Sequence, residues 1–119
     1  MKKILLMMAF TVVSLFAYEE ITKENFSEKI SGKNTIVKFH ATWCPNCRAL
    51  EKNFNKVDLN ELGVTLYKVD IEQQRELTQM YSIRALPTIL YLKNGKLIST
   101  EMGVKSPTEI KESIYEKFN

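Results

Sequence analysis

The sequence predicts one α/β domain of three layers, in which helices cover both faces of a central mixed sheet. The length of 119 residues fits a single domain. Runs of β-branched and aromatic residues alternate along the chain with amphipathic segments rich in helix formers. The last two predicted strands flank Asn94-Gly95, a dipeptide that favours a two-residue hairpin turn. A parallel β-α-β unit followed by an antiparallel hairpin accounts for these observations.

Local patterns place the individual elements. The first helix is predicted to begin at Thr22 as its N-cap, because apolar residues then repeat at i, i+4. The last helix is predicted to begin after Ser106, with Pro107 in its first turn and Glu109 completing a capping box. The predicted order is a helix within 21–30, a strand over 35–41, a helix over 48–54, a strand over 64–70, a helix over 71–81, strands over 88–93 and 96–102, and a helix from 107 onward.

The composition excludes several classes of protein. A hydrophobic fraction of 45% supports a buried core and argues against disorder. Two cysteines are too few for a disulfide-rich mini-protein or for a four-thiolate zinc or iron–sulfur site. The chain has no run of Lys and Arg of the kind that binds nucleic acid, so nucleic-acid binding is not expected.

Residues 1–17 have the pattern of a secretory signal peptide. Two lysines precede fourteen uncharged residues that end in the small Ala17. The stretch is shorter than the roughly 20 apolar residues that span a bilayer. Leu15 is not small and makes the cleavage box imperfect, so cleavage nearby and an uncleaved membrane anchor stay open. Cleavage after Ala17 leaves a domain of residues 18–119 and lowers the formal net charge from +3 to +1.

The motif Cys44-Pro45-Asn46-Cys47 stands where a predicted strand leads into a helix. Unpaired N–H groups and the helix dipole stabilise a thiolate there, so the pKa of the first thiol falls below its free value of about 8.5. Cys44 is the candidate nucleophile that attacks a partner's disulfide, and Cys47 resolves the mixed disulfide. A structural disulfide and a zinc site are the alternatives; the first closes only a small loop, and the second needs two more ligands although His40 is the only histidine. Arg48 after the second cysteine excludes covalent haem attachment.

The chain from about residue 20 to residue 118 resembles the thioredoxin family. The resemblance implies a thioredoxin-like fold and thiol–disulfide exchange by the cysteine pair, without a cofactor or metal ion. It implies that the Leu86–Pro87 bond is cis and lies against the cysteines, that the Leu86 backbone pairs with a bound partner, and that Trp43 shields the disulfide. An ordinary trans Pro87 and a partly buried surface Trp43 are the alternatives. The matching segments are residues 39–47 (FHATWCPNC), 68–70 (KVD), 83–88 (IRALPT), 93–96 (KNGK) and Gly103.

The sequence departs from the family at Lys38, six residues before Cys44, where thioredoxins commonly carry a buried Asp. A charged Lys38 would stabilise a thiolate and make the pair more oxidising, unless the side chain reaches solvent. Glu51, one turn after Cys47, either replaces the missing carboxylate, pairs with Lys38 or is solvated; some membrane electron-relay reductases look similar here. His40 shares the strand face of Lys38, and either titrates near the thiols or is merely packed.

We therefore expect an exported thiol–disulfide oxidoreductase of a bacterial cell envelope, most simply the periplasm. Its partners are protein thiols and disulfides and a membrane or periplasmic redox partner, and a monomer is expected. The chain has no room for the large helical insertion of the main periplasmic disulfide-introducing enzymes, which favours a reductase or electron carrier. Pro45-Asn46 and Lys38 favour an oxidant instead. A non-enzymatic peptide-binding module around Trp43, Ala85 and Leu86 is the competing class.

Overall fold

Five strands form one mixed sheet between two pairs of helices in residues 18–119, the part of the chain that the computed structural model describes. The predicted signal peptide lies outside the described residues. The sheet order is β1-β3-β2-β4-β5, with β1 and β2 parallel to β3, and β4 antiparallel to both β2 and β5. The elements are β1 (Glu19–Glu20), α1 (Lys23–Ile30), β2 (Asn34–His40), α2 (Pro45–Phe54), β3 (Val64–Asp70), α3 (Arg75–Met80), β4 (Thr88–Lys93), β5 (Lys96–Met102) and α4 (Pro107–Phe118).

Each face of the sheet has its own hydrophobic core, because successive side chains of a strand point to opposite faces. Ile36 of β2 packs in a cluster that includes Leu50 of α2 and Ile110 of α4. The next residue, Val37, packs in a second cluster that includes Phe26 of α1 and Leu77 of α3. Helices α2 and α4 thus cover one face and α1 and α3 the other, which confirms the predicted three-layer architecture.

The predicted end signals of the elements are present in the structure. Ser106 Oγ accepts a hydrogen bond from the Glu109 backbone N–H (3.1 Å), and Glu109 Oε1 accepts one from the Ser106 N–H (2.9 Å), which is the capping box. Asn94 and Gly95 both have positive φ (51° and 81°), as the two-residue hairpin turn requires. Thr22 is the N-cap of α1. The caps and the hairpin are confirmed.

Strand β1 and helix α3 differ from the prediction, as does the start of α2 described below. Strand β1 was not predicted, because two residues are too few to show a strand period; it pairs with β3 through Glu20 and Lys68. Helix α3 is shorter than the predicted 71–81, because Asp70 organises a turn ahead of it. Asp70 Oδ1 accepts hydrogen bonds from the backbone N–H groups of Glu72 (2.8 Å) and Gln73 (3.2 Å). Within residues 18–119, no helix is both long and apolar enough to cross a bilayer.

Candidate active site

The cysteine pair lies at the junction of β2 and α2, as predicted. Cys44 is the N-cap of α2, and Pro45 is its first helical residue, where a missing N–H costs no hydrogen bond. Cys44 and Cys47 form a disulfide, with their Cα atoms 5.3 Å apart. Helix α2 therefore begins three residues earlier than the predicted Arg48, and both sulfur atoms belong to its first turn.

One backbone donor of the first turn of α2 points at the sulfur of Cys44. The Cys47 N–H donates to Cys44 Sγ at 3.1 Å. In the reduced protein the same donor and the positive end of the helix dipole act on a Cys44 thiolate. Both cysteines are buried, with Cys44 4% and Cys47 2% exposed, and Cys47 lies farther from the helix end. Position at the start of the helix, and not burial, thus distinguishes Cys44 as the activated sulfur.

A mostly apolar cavity of about 390 Å³ opens beside Cys44. Ile71, Ile83 and Leu86 are among the residues that line it. Leu86 also packs against the buried cluster that contains both cysteines, and the Leu86–Pro87 peptide bond is cis. The structure thus brings the cis-proline segment and the cysteine pair together, although about 40 residues separate them in the sequence.

Trp43 forms one wall of this cavity rather than a closed cover. Its side chain is 61% exposed, and its indole Nε1–H donates to Glu72 Oε2 at 3.0 Å. The hydrogen bond fixes the orientation of a large apolar surface next to Cys44. Such a surface suits the binding of an apolar side chain that flanks a partner's cysteine.

Lys38 lies fully buried beneath α2 and pairs with Glu51. Its Nζ donates to Glu51 Oε1 at 3.1 Å, and Lys68 Nζ lies 3.7 Å from Glu51 Oε2. Lys38 and Lys68 are register partners in the parallel pair β2/β3, so both side chains project from the same face. Of the alternatives above, the ion pair is found; a Lys38 that reaches solvent is wrong, since its exposure is 0%.

Burial and the charge of the partner both shift the pKa values of Lys38 and Glu51. Burial lowers the pKa of Lys38, and the charge and hydrogen bond of Glu51 oppose that shift. Burial acts to raise the pKa of Glu51, but Lys38 and Lys68 outweigh it and hold that pKa below its ordinary value of 4.5. Glu51 is therefore ionised at neutral pH. Its carboxylate offsets one of the two positive charges that Lys38 and Lys68 place on this face of the sheet.

A family model described as thioredoxin matches residues 17–116 of the chain. The chain belongs to the thioredoxin family. The thioredoxin of Buchnera aphidicola is 31% identical over 103 residues, which cover 84% of this chain and 95% of that protein. The thioredoxin of Malassezia sympodialis is 34% identical over 94 residues, covering 76% and 89% of the two chains. Its crystal structure superposes with a TM-score of 0.76 at 29% identity, covering 92% of this chain and 98% of that chain.

Membership of the thioredoxin family gives the cysteine pair its chemistry. The chain is a thiol–disulfide oxidoreductase with a Cys-x-x-Cys pair at disulfide distance. Both the expected family and the expected thioredoxin-like fold are confirmed. Thioredoxin-type proteins act on protein disulfides through such a pair.

His40 is buried at the end of β2, on the same sheet face as Lys38. Burial, reinforced by the positive charge of Lys38, lowers the pKa of the imidazole, so His40 is neutral at pH 7. Its Nε2 lies 3.9 Å from Glu20 Oε2 and has no hydrogen-bond partner among the described residues. This position makes His40 a packed neutral group at neutral pH and turns it towards Glu20 of β1.

Sequence reasoning gave no role to Lys68 or Glu72, which contact the predicted site residues Glu51 and Trp43. A signal for Lys68 was present. Lys38 and Lys68 each stand two residues before the end of adjacent parallel strands, and aligning the two strand ends would have placed them side by side. Glu72 lies in an irregular turn, and no period or spacing links it to Trp43.

Proposed function

We propose that this thioredoxin-family chain is exported and works in the bacterial cell envelope as a reductase or electron carrier for protein disulfides. Cys44 is the attacking sulfur and Cys47 the resolving one. The pattern of residues 1–17 supports export to the periplasm, with cleavage leaving a monomeric domain of residues 18–119. A membrane or periplasmic redox partner returns electrons to the pair.

The ion pair between Lys38 and Glu51 is the observation that carries the proposed direction. A lone buried ammonium group near the cysteines would stabilise the thiolate form and make the pair oxidising. Here Glu51 lies 3.1 Å from that ammonium group and offsets its charge, while Lys68 at 3.7 Å shares the same carboxylate. Glu51 also follows Cys47 by one helical turn, so its negative charge disfavours a Cys47 thiolate. A less stabilised thiolate corresponds to a more reducing pair.

The proposed reaction proceeds in two displacements. The Cys44 thiolate attacks one sulfur of the partner's disulfide; that bond breaks, a mixed disulfide forms, and the released partner thiolate takes up a proton. Cys47 then loses its proton, for which Glu51 is the candidate acceptor, and attacks Cys44 Sγ. The second partner thiolate leaves and is protonated. Two electrons and two protons reach the partner, and the protein ends as the Cys44–Cys47 disulfide.

The cavity beside Cys44 supports recognition of an extended, apolar partner segment. The cavity is lined with apolar surface beside the Cys44 sulfur by Trp43, Ile71 and Leu86. Leu86, the first residue of the cis Leu86–Pro87 bond, lines the cavity and packs against the cysteine cluster. We assign it the role of pairing its backbone with the partner chain, which holds the partner's disulfide near Cys44.

The experiment that tests direction is a redox equilibrium with glutathione. We expect a reduction potential nearer the thioredoxin value of about −270 mV than the strongly oxidising value of about −120 mV. In parallel, Cys47→Ser expressed from the full-length gene should trap partners as mixed disulfides in envelope extracts, and the trapped chain should begin near Tyr18. The double variant Cys44→Ser/Cys47→Ser is the matched control and should trap none.

Other outcomes identify the competing functions. A potential near −120 mV would identify an oxidant, as Pro45-Asn46 and Lys38 favour. Loss of trapping, together with full biological activity of Cys44→Ala, would identify a non-enzymatic peptide-binding module. A trapped chain that retains residues 1–17 in the membrane fraction would identify an uncleaved anchor.

A further inference from the structure

Three side chains with metal-binding atoms meet on the α2 face of the sheet, outside the cysteine pair. Glu20 of β1, His40 of β2 and Asp70 of β3 each place one ligand atom so that all three lie within 4.8 Å of one another. His40 and Asp70 are register partners, and Glu20 pairs with the residue two positions before Asp70. The parallel strands themselves therefore create the cluster.

The imidazole of His40 is the observation that points to a ligand. The residue is 7% exposed, and its Nε2 is buried without a hydrogen-bond partner among the described residues. Leaving such an atom unpaired is unfavourable, because burial removes the hydrogen bond that it makes with water in the unfolded chain. Nε2 lies 3.9 Å from Glu20 Oε2, too far for a hydrogen bond, so it is directed into the cluster.

We infer that Glu20, His40 and Asp70 form a binding site for a divalent transition-metal ion of the Zn²⁺ type. One imidazole nitrogen and two carboxylate oxygens are donors that Zn²⁺ accepts, and three protein ligands leave a position for water. Tetrahedral Zn²⁺ holds its donors about 3.4 Å apart. Glu20 is half exposed, so its side chain is free to move from its present 3.9 Å separation towards His40 Nε2.

The charges around the three ligands are compatible with a bound cation. Lys38 and Lys68 face the same side of the sheet and would oppose one, but both ammonium groups lie within 4.0 Å of the Glu51 carboxylate. Glu20 and Asp70 add two further negative charges against a neutral His40. These six side chains together carry a net charge of about −1, which a divalent ion converts to about +1.

The test is a calorimetric titration of Zn²⁺ into the oxidised protein, whose disulfide removes both thiols as competing ligands. We expect one ion per chain and a rise in melting temperature with free Zn²⁺, since a ligand of the folded state stabilises it. Glu20→Gln and Asp70→Asn should each weaken binding at least tenfold, because loss of outer-shell partners alone costs about 10–100-fold. Asn at position 70 keeps the oxygen that accepts from Glu72 and Gln73.

Glu19→Gln is the matched control, because this exposed carboxylate on the same strand points to the opposite face of the sheet. It should bind Zn²⁺ as the wild type does. His40→Ala should abolish binding; if that variant fails to fold, Glu20→Gln decides, since Glu20 is exposed. Absence of saturable binding by the oxidised wild type overturns the inference, as does equal affinity in Glu20→Gln, Asp70→Asn and Glu19→Gln.

Discussion

At the scale of single residues, the contact that underlies the proposed redox direction is the one between buried Lys38 and Glu51. Lys38 stands where the thioredoxin pattern has a carboxylic acid, and Glu51 returns a carboxylate to the same region from α2. The sequence could identify both residues, because each stands at a fixed separation along the chain from Cys44 or Cys47. It could not determine that they pair, because that contact depends on the distance between a strand and a helix.

The pair predicts opposite effects of its two members on the Cys44 thiol. Lys38→Met removes the positive charge and leaves Glu51 in place, so the pKa of Cys44 should rise. Glu51→Gln leaves the ammonium group uncompensated, so the pKa of Cys44 should fall; each shift is expected to be up to about one unit. The measurement is the pH dependence of Cys44 alkylation in the reduced protein.

Lys52→Ala is the matched control for this measurement, since Lys52 is an exposed charge on the neighbouring position of α2. Its alkylation profile should superimpose on that of the wild type. Shifts of the same sign in Lys38→Met and Glu51→Gln would contradict the assignment of the two residues as a compensating pair.

At the scale of elements, the sequence predicts the ends of a helix or strand correctly where residues close in the chain form those ends. The Asn94-Gly95 turn and the Ser106 cap involve atoms a few residues apart, and both were predicted. Strand β1 exists only because β3 offers it a free edge. The start of α3 was misplaced because the Asp70 side chain holds residues 72 and 73 in a turn, and a periodic pattern does not register such a bond.

The capping box of α4 yields a stability prediction. Ser106→Ala removes the hydroxyl that accepts from the Glu109 N–H, and the free energy of unfolding should fall by about 1 kcal/mol. Equilibrium unfolding in urea measures this as a lower midpoint with an unchanged slope. Thr108→Ala, an exposed position in the same first turn, is the control and should change the midpoint little. Equal effects of the two substitutions would argue against the cap.

At the scale of the whole molecule, helix α2 places the cysteine pair and Glu51 over the sheet face that carries Lys38 and Lys68. The α2 face is apolar towards one end, around Ile36, and polar towards the end where Cys44 lies, around Lys38 and His40. Helix α2 covers both regions. Its N-terminus holds the cysteines and its second turn holds Glu51, so the ionisation of one partly buried carboxylate is linked to the stability of the fold.

This linkage predicts the acid sensitivity of the protein. Because the pKa of Glu51 is held below 4.5 in the folded state, its contribution to stability is present above pH 4.5 and is lost as the pH falls through the folded-state value. Urea midpoints measured between about pH 2 and 7 should fall on the acidic side for the wild type and fall less steeply for Glu51→Gln. Glu112→Gln, which removes an exposed carboxylate of α4, is the control for loss of one charge. If the urea midpoint falls equally with decreasing pH in the wild type and in Glu51→Gln, the linkage is contradicted.

The sequence by itself determined the α/β architecture, the helix caps, the hairpin and the cysteine pair at a strand-to-helix junction. These features depend on residue spacing and on local hydrogen bonds, which a linear pattern contains. Only the tertiary structure decided that Lys38 is buried against Glu51, that Glu72 orients Trp43, and that Glu20, His40 and Asp70 meet. Those contacts join segments 13 to 50 residues apart, and the register of parallel strands and the seating of α2 on the sheet determine them.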